Sequence, residues 1–324
     1  MNYHIPFERI IKFGQQNMLD RPLFNISWIL GRFCNYKCSY CWPYARSDTL
    51  DFLSFQVYTN AVDSIIDQAA QNTFDQFHWS FSGGEPTAYK DLTNLMSYIS
   101  KKPTMYQSVH LTTNLRPGLK WWDSWCSNTQ VFNRKSITAS FHGEFAKENE
   151  FAEKCLFLQD KGVFVTVNQV MEPSRFWETI DRCYRLQNLG INVTLKPQSN
   201  ETASAIVPGY TEEMLTIMKT KFQQYNQAEP VYGVRLTDGT DNYYIDQAER
   251  FNSFGFNKFK GWTCNSGYQS VIIKGDEVKR GYSCHDTPLG TLTNGFELFK
   301  AAAPCITPTC ISSADSKIPK CQNN

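Results

Sequence analysis

The chain has 324 residues, of which 41% are hydrophobic and 15% aromatic, a length that supports one large domain or two ordinary ones with a substantial core. Its 32 Lys and Arg against 31 Asp and Glu give a formal charge of +1, with no basic footprint for nucleic acid or an anionic membrane surface. No apolar run approaches the ~20 residues that span a bilayer.

In chain order, residues 1–23 open with Met-Asn-Tyr-His-Ile-Pro, which lacks the basic and apolar regions of a secretory signal. They are expected to form a short N-terminal extension. With 11 cysteines in such a chain, metal ligation in a reducing, cytoplasmic compartment is expected ahead of disulfides. The apolar run Phe24 to Leu30, bounded by Pro22 and Gly31, has strand length. Just beyond it stand Cys34, Cys38 and Cys41, in C-x3-C-x2-C spacing on the loop leaving that strand. Spacings this short let three sulfurs converge on one centre. A closed zinc site needs four protein ligands, and no further Cys or His follows close behind. An iron–sulfur cube held by three thiolates leaves its fourth iron open to a substrate. A zinc knuckle completed by a distant residue is the alternative.

Cys34, Cys38 and Cys41, with Tyr40 before the last cysteine, resemble the signature of the radical S-adenosylmethionine (radical SAM) enzymes. The resemblance implies a [4Fe–4S] cluster whose open iron binds S-adenosylmethionine. It also implies reductive cleavage to a 5′-deoxyadenosyl radical, and an external electron donor such as a flavodoxin or ferredoxin.

Ser54 to Asn72 carries Val57, Ala61, Ile65 and Ala69 at helical steps. The strand Phe77 to Phe81 then runs into Ser82-Gly83-Gly84-Glu85-Pro86, where glycines let backbone approach a ligand without a Cβ in the way. Gly83, Gly84 and Glu85 resemble the family's Gly-Gly-Glu motif, which implies contact with the methionine amino group of the cofactor. Alternation continues: helix Leu92 to Ser100, strand Ser108 to Asn114, a short helix at Trp121 to Trp125, and strand Ser136 to Phe141. Helix Ala146 to Asp160, strand Val163 to Val170, helix Ser174 to Leu189 and strand Ile191 to Leu195 follow. Strands near 24, 77, 108, 136, 163 and 191 alternating with helices predict an α/β fold, a partial (βα)6 TIM-type barrel over residues 24–226. The resemblance implies the same fold.

Barrel chemistry sits at the C-terminal ends of strands. That rule singles out Thr113 and Asn114, Ser140 and His142, Asn168 and Gln169, and Lys196. By resemblance, Tyr40, Gly83, Gly84, Glu85, Asn114, Ser140 and His142, and by its place late in the fifth strand Asn168, are the cofactor-binding candidates; strand-capping and buried hydrogen-bonding roles are the alternatives for the strand-end residues. His78 and His110 read as packed residues, Cys155 and Cys183 as small core hydrophobes, and Cys126 as inert.

Pro197 to Pro208 reads as a polar linker and Thr211 to Tyr225 as the helix that ends the barrel. Residues 227–324 are expected to be a small cysteine-rich α+β extension. Within it, Ser270 to Ile273 and Val278 to Tyr282 flank Lys274-Gly275-Asp276-Glu277, a β-hairpin pattern with Cys264 and Cys284 just outside its strands. This segment resembles the SPASM and twitch extensions of radical SAM enzymes, in the order hairpin, Leu289-Gly-Thr-Leu292, short helix from Phe296 to Ala303, cysteines. The resemblance implies an auxiliary [4Fe–4S] cluster on Cys264, Cys284, Cys305 and Cys310. Two-cluster members carry more cysteines than the five in this tail, so one cluster is expected, with Cys321 a possible substitute ligand and structural zinc an alternative occupant.

The activity implied is hydrogen-atom abstraction from a small-molecule or peptide substrate, for oxidation or a related modification. The 23 residues before Phe24 are too few for a leader-binding domain, which places a peptide maturase or epimerase with a separate leader-binding partner second. A non-catalytic iron–sulfur electron carrier or scaffold is the reading of another class. No nucleic-acid or membrane partner is expected.

Overall fold

Alternation of apolar and polar side chains decides the layering of this chain, as a computed structural model shows for residues 5–202, 205–220, 233–245, 255–284 and 288–322. Strand β1 (Lys12–Gln15) runs directly into helix α1 (Gln16–Asp20), and β2 (Leu23–Ile29) follows. Then come α2 (Phe55–Gln71), β3 (Gln76–Ser82), α3 (Leu92–Ser100), β4 (Tyr106–Thr113), α4 (Leu119–Asn128) and β5 (Arg134–Phe141). The series ends with α5 (Glu148–Asp160), β6 (Phe164–Met171), α6 (Phe176–Asn188), β7 (Asn192–Pro197) and α7 (Glu212–Thr220). The six strands read from the sequence are β2 to β7, all parallel and each paired with the next.

Helix α2 shows why the pattern folds this way. Ser54 caps it, its Oγ accepting from Val57 N–H at 3.4 Å, and Tyr58, Ala61, Val62, Ile65 and Ala69 are buried. Each large apolar side chain so removed from water contributes about 2 kcal/mol. Those residues pack on Phe24, Ile26, Trp28, Trp79 and Phe81 from the strand faces beneath. The other face of the same strands is polar: Ser27, Ser80, His110 and Ser136 lie in one register row, Thr112, Thr138 and Thr166 in another. A closed (βα)8 barrel fills its interior with branched apolar side chains; here the sheet stays open and its concave side is lined with hydroxyls.

After α7 come β8 (Val234–Thr237), β9 (Asn242–Ile245) and β10 (Thr263–Cys264). The expected hairpin is β11 (Ser270–Lys274) and β12 (Glu277–Lys279), followed by β13 (Pro288–Thr291), β14 (Gly295–Phe296), β15 (Ala303–Pro304), the turn of helix α8 (Ser313–Ser316) and β16 (Lys320–Cys321). The hairpin joins the barrel sheet: β11 pairs in parallel with β2 from Ser270↔Asn25 to Lys274↔Ile29. The sheet order is β14-β13-β12-β11-β2-β3-β4-β5-β6-β7, and its two ends do not pair. A second sheet runs β15-β10-β16-β1-β8-β9, so β1 lies between strands from the far end of the chain.

One expectation is corrected. Phe296 to Ala303 is irregular, with a bend at Lys300 and Ala301, rather than a short helix. Its backbone is claimed by other partners: Leu298 N–H donates to Gln68 Oε1 at 2.8 Å, and the carbonyls of Phe296 and Phe299 accept from Gln68 Nε2 and Asn72 Nδ2. The amide of Phe299 donates to Gly267 O. Residues 203–204 of the expected linker, 221–225 of the expected helix and 246–254 of the expected extension lie outside the described residues. No helix among the described residues is long and apolar enough to cross a membrane.

Candidate iron–sulfur and cofactor site

Strand β2 ends at Ile29, and the chain turns through Gly31 into the cysteine loop. Asp51 organises that turn: its carboxylate accepts from Arg32 N–H at 2.9 and 2.8 Å and from Phe33 N–H at 3.1 Å. Further along, Glu144, from the loop after β5, accepts from Ser39 N–H at 3.1 Å and from Ser39 Oγ at 2.8 Å. Two carboxylates on different elements thus pin the loop on either side of Cys34 and Cys38. Neither was singled out from sequence; Glu144, two residues beyond His142 at a strand end, was within reach of the strand-end rule.

Across from the loop stands the Gly83-Gly84-Glu85 segment at the end of β3. Gly84 N–H donates to Gly31 O at 2.9 Å and Glu85 N–H to Phe33 O at 2.7 Å. A Cβ on Gly83 would lie 2.3 Å from Gly31 O, and one on Gly84 2.2 Å from Phe33 O. Gly83 also holds φ +140, which favours glycine. The sequence argument assigned these glycines to close approach of a ligand; what approaches them is the backbone of the cysteine loop itself.

Glu85 is 1% exposed. Its Oε1 accepts from Thr87 N–H (3.0 Å), Thr87 Oγ1 (2.6 Å) and Thr113 Oγ1 (2.7 Å), and its Oε2 from Asn114 N–H (2.7 Å). Burial pushes the carboxyl's pKa up, while these four donors pull it back toward the charged form. Asn114 continues the chain of contacts, donating from Nδ2 to Asn35 Oδ1 in the cysteine loop at 2.8 Å and accepting Arg116 N–H at Oδ1. The ends of β3 and β4 are therefore bolted to the loop through Glu85, Asn114 and Asn35.

Tyr40 reaches the end of β5, its hydroxyl 2.8 Å from His142 Nδ1 and its ring stacked on the imidazole. Burial drives the pKa of His142 down to about 4, so it is neutral at pH 7. Ser140 and Asn168 are register partners late in β5 and β6, half-buried on the polar side of the sheet. Lys196, in β7, is paired with Val170 in the register.

All eleven cysteines are free thiols. In the loop, Cys34 Sγ accepts Tyr36 N–H at 3.4 Å. Burial raises the pKa of all three loop thiols; that of Cys38 is pushed up to about 12 by burial with Glu144 and the other two thiols. Such thiols hold their protons until a cation displaces them. Among the described residues no three His, Cys, Asp or Glu side chains stand in the arrangement of a single-ion site. A cube, with a separate iron at each corner, does not need that arrangement. Three adjacent thiols with an amide hydrogen bond to sulfur suit such a cluster.

A second group of thiols gathers in the tail. Cys264, Cys284, Cys305 and Cys310 are all buried, and Cys264 lies near enough to each of the others to perturb it. Burial raises Cys284 to about 11 and Cys310 to about 12. Cys264 Sγ accepts Ser266 N–H at 3.5 Å. Two buried cations stand close by: Arg280 donates to the carbonyls of Ser266, Pro304 and Ala303, and Lys320 to those of Asp315, Ser316 and Ile318. In the antiparallel register Cys264 is paired with Lys320 and Thr263 with Cys321, so Cys321 projects from the opposite face of the sheet to Cys264. Cys155 and Cys183 are fully buried on helices, as read from the sequence, and Cys126 is nearly so.

Among curated proteins, the Fe-coproporphyrin III synthase of Methanosarcina barkeri (strain Fusaro / DSM 804) is 36% identical over 77 residues, which is 24% of this chain and 18% of that protein's length. Among solved structures, native anSMEcpe with bound AdoMet superposes with a TM-score of 0.51 at 14% identity, covering 86% of this chain and 81% of that one. At that identity the likeness shows a shared fold. The Radical SAM superfamily model matches residues 28–131, from the end of β2 to just beyond α4. The cysteine loop and the Gly-Gly-Glu segment both lie inside that match, so it is this segment of the chain that is similar to the Radical SAM superfamily.

Proposed function

We propose that the protein is an enzyme that cleaves S-adenosylmethionine reductively and abstracts a hydrogen atom from a polar substrate, a small molecule or a peptide, to oxidise or otherwise modify it. The observation that carries this reading is the pair of backbone hydrogen bonds joining the loop of Cys34, Cys38 and Cys41 to Gly83-Gly84-Glu85. An electron carrier has no use for a cofactor cradle locked to its cluster loop.

When bound, a reduced [4Fe–4S] cluster and S-adenosylmethionine supply one-electron cleavage of the sulfonium and a 5′-deoxyadenosyl radical. The chain's own residues do the rest. Cys34, Cys38 and Cys41 hold the cluster, and Asp51 and Glu144 keep their loop in place. Glu85, enclosed by its four donors, positions the Gly83-Gly84 backbone and Asn114 rather than reaching the cofactor with its carboxylate. Tyr40 and neutral His142 form a wall at the end of β5, and Ser140 and Asn168 offer hydrogen bonds beside it. The hydroxyl-lined concave face favours a substrate rich in hydrogen-bonding groups over a hydrocarbon. Cys264, Cys284, Cys305 and Cys310 would hold one auxiliary cluster, which with its four thiolates is a dianion and offsets the buried charges of Arg280 and Lys320. An external flavodoxin or ferredoxin supplies the electron.

The test is anaerobic reconstitution with iron and sulfide, reduction, and addition of S-adenosylmethionine, followed by chromatography for 5′-deoxyadenosine. Formation of 5′-deoxyadenosine by the native chain and not by Cys34→Ala supports the reading. A fully loaded protein that forms none, with or without hydroxylated small molecules and peptides, refutes it.

A further inference from the structure

We propose that the floor of the barrel, at the end of the sheet opposite the cysteine loop, is a binding site for a small organic carboxylate bearing its own hydrogen-bond donor, such as a short amino or hydroxy acid.

A cavity of about 300 Å³ lies there, walled by the first residues of β2 to β5 and by the β1–α1 segment. That volume is at the lower end of the range for small-ligand pockets. The strands run seven or eight residues from this floor to the cysteine loop's end, which at ~3.3 Å per residue is about 25 Å. A molecule on the floor is therefore out of reach of hydrogen-atom transfer at the other end, and the site is separate from the proposed reaction.

The walls hold unmet hydrogen-bonding capacity of both kinds. Arg134 and Arg21 line the cavity and make no ion pair or side-chain hydrogen bond among the described residues; each only rests over a ring, Phe164 at 5.7 Å and Tyr106 at 6.0 Å. Asn25 is 8% exposed, and its side-chain amide likewise has no partner among the described residues. Asn17, on the same wall, leaves its Oδ1 unsatisfied. Buried polar groups are normally paired; here Asn17 Oδ1 and the Asn25 side chain are not, and half-buried Arg134 and exposed Arg21 stand on the same wall with donors to spare, a set that suits an occupant with acceptors and a donor.

The sign of the field selects an anion. Asp20 is the sole carboxylate among the described residues of the wall, and it already pairs with Arg235 at 2.8 Å. In the same wall, His78 is kept neutral, its pKa lowered to about 3 by burial, with His110, Lys317 and Arg134 adding to the effect. His78 Nδ1 is committed to Ser108 Oγ at 2.8 Å, so the imidazole adds no negative charge. A planar guanidinium and an amide acceptor lining one cavity match a carboxylate with an adjacent amino or hydroxyl group better than phosphate, whose hydroxyl sits on the anionic group itself.

Isothermal titration calorimetry on the full chain, with L-serine, glycolate, inorganic phosphate and glycerol as probes, tests this. Saturable binding of L-serine or glycolate, at least tenfold weaker binding of phosphate and none of glycerol are expected. Arg134→Gln should weaken the acid at least tenfold, while Lys120→Gln, an exposed change elsewhere, should leave it unchanged. Absence of saturation by both acids at millimolar concentration in the native protein overturns the proposal, whether or not the variant folds. So does phosphate binding as tightly as the acids, or undiminished binding by a folded Arg134→Gln.

Discussion

Replacing Gly84 by alanine puts a methyl group 2.2 Å from Phe33 O and 2.3 Å from Arg32 O, with Phe33 C at 2.5 Å. All three are backbone atoms, so no side chain can swing aside. The loop has to retreat by about an ångström, and it then loses the bonds from Gly84 N–H to Gly31 O and from Glu85 N–H to Phe33 O. Two hydrogen bonds at about 1 kcal/mol each and about 2 kcal/mol of overpacking give a loss of about 4 kcal/mol. At a few degrees per kcal/mol, the melting temperature falls by about 10 °C. Because the retreating loop carries Cys34, iron bound at that end should fall along with stability. Differential scanning calorimetry of the unreconstituted chain and iron analysis after reconstitution read the two effects separately. Gly118→Ala is the control: nothing lies within 4 Å of its methyl, and a shift within about 1 kcal/mol is expected for a helix N-cap. A Gly84→Ala chain that melts and loads iron like the native one would show that the glycine pair does not serve the packing of these two loops.

Glu85→Gln keeps one oxygen for Thr87 and Thr113 but turns an NH2 toward Asn114 N–H, and a loss of about 2 kcal/mol in urea denaturation is expected. Cys310→Ser should lower iron by about four per chain, whereas Cys321→Ser, on the opposite face of the sheet to Cys264, should leave iron unchanged by elemental analysis. Stability should also fall on mild acidification. His110 and His142 have folded pKa values lowered to about 4, so their contribution is full above the ordinary pKa of 6.5 and is lost as pH falls toward 4. The expected slope is about 1 kcal/mol per pH unit for each imidazole, read as the urea midpoint between pH 7 and pH 5, and a flat profile would contradict it.

What the sequence disclosed, and what it withheld, follows the range of the interactions involved. The run Val57, Ala61, Ile65, Ala69 and the cap Ser54 are local, and α2 lies where they place it. The alternation Ser108-Val109-His110-Leu111-Thr112 was equally local. Read as a two-sided strand, it already announces a polar concave face; His78 and His110 sit on that face, bonded to Ser108 and Ser136 at 2.8 Å each. The loop cysteines were legible because three thiols so closely spaced have few other uses. Asp51 and Glu144 were not, since a carboxylate that accepts from a backbone amide 18 or 105 residues away leaves no periodic trace. The run from Phe296 to Ala303 failed as a helix for a related reason: Gln68 and Asn72 lie some 230 residues earlier in the chain.

The same distinction governs how the two halves of the chain depend on each other. Strand β2 carries the cysteine loop at its end, and on one side it is paired along its whole length with β3. Without β11 its other edge would offer five residues of unpaired backbone next to the metal loop, the kind of edge that invites aggregation. The hairpin supplies that missing partner, and its turn adds a bond from Gly275 N–H to Ile29 O, two residues before Gly31. In return, β1 from the chain's beginning separates β16 from β8 in the second sheet, and β16 in turn pairs with β10, which bears Cys264. The loop cysteines therefore follow a strand whose neighbour comes from the opposite end of the sequence, and Cys264 lies on a strand that reaches β1 through β16. Disturbance of the tail reaches the loop of Cys34 through β11 and β2 without any contact between the two sets of thiols.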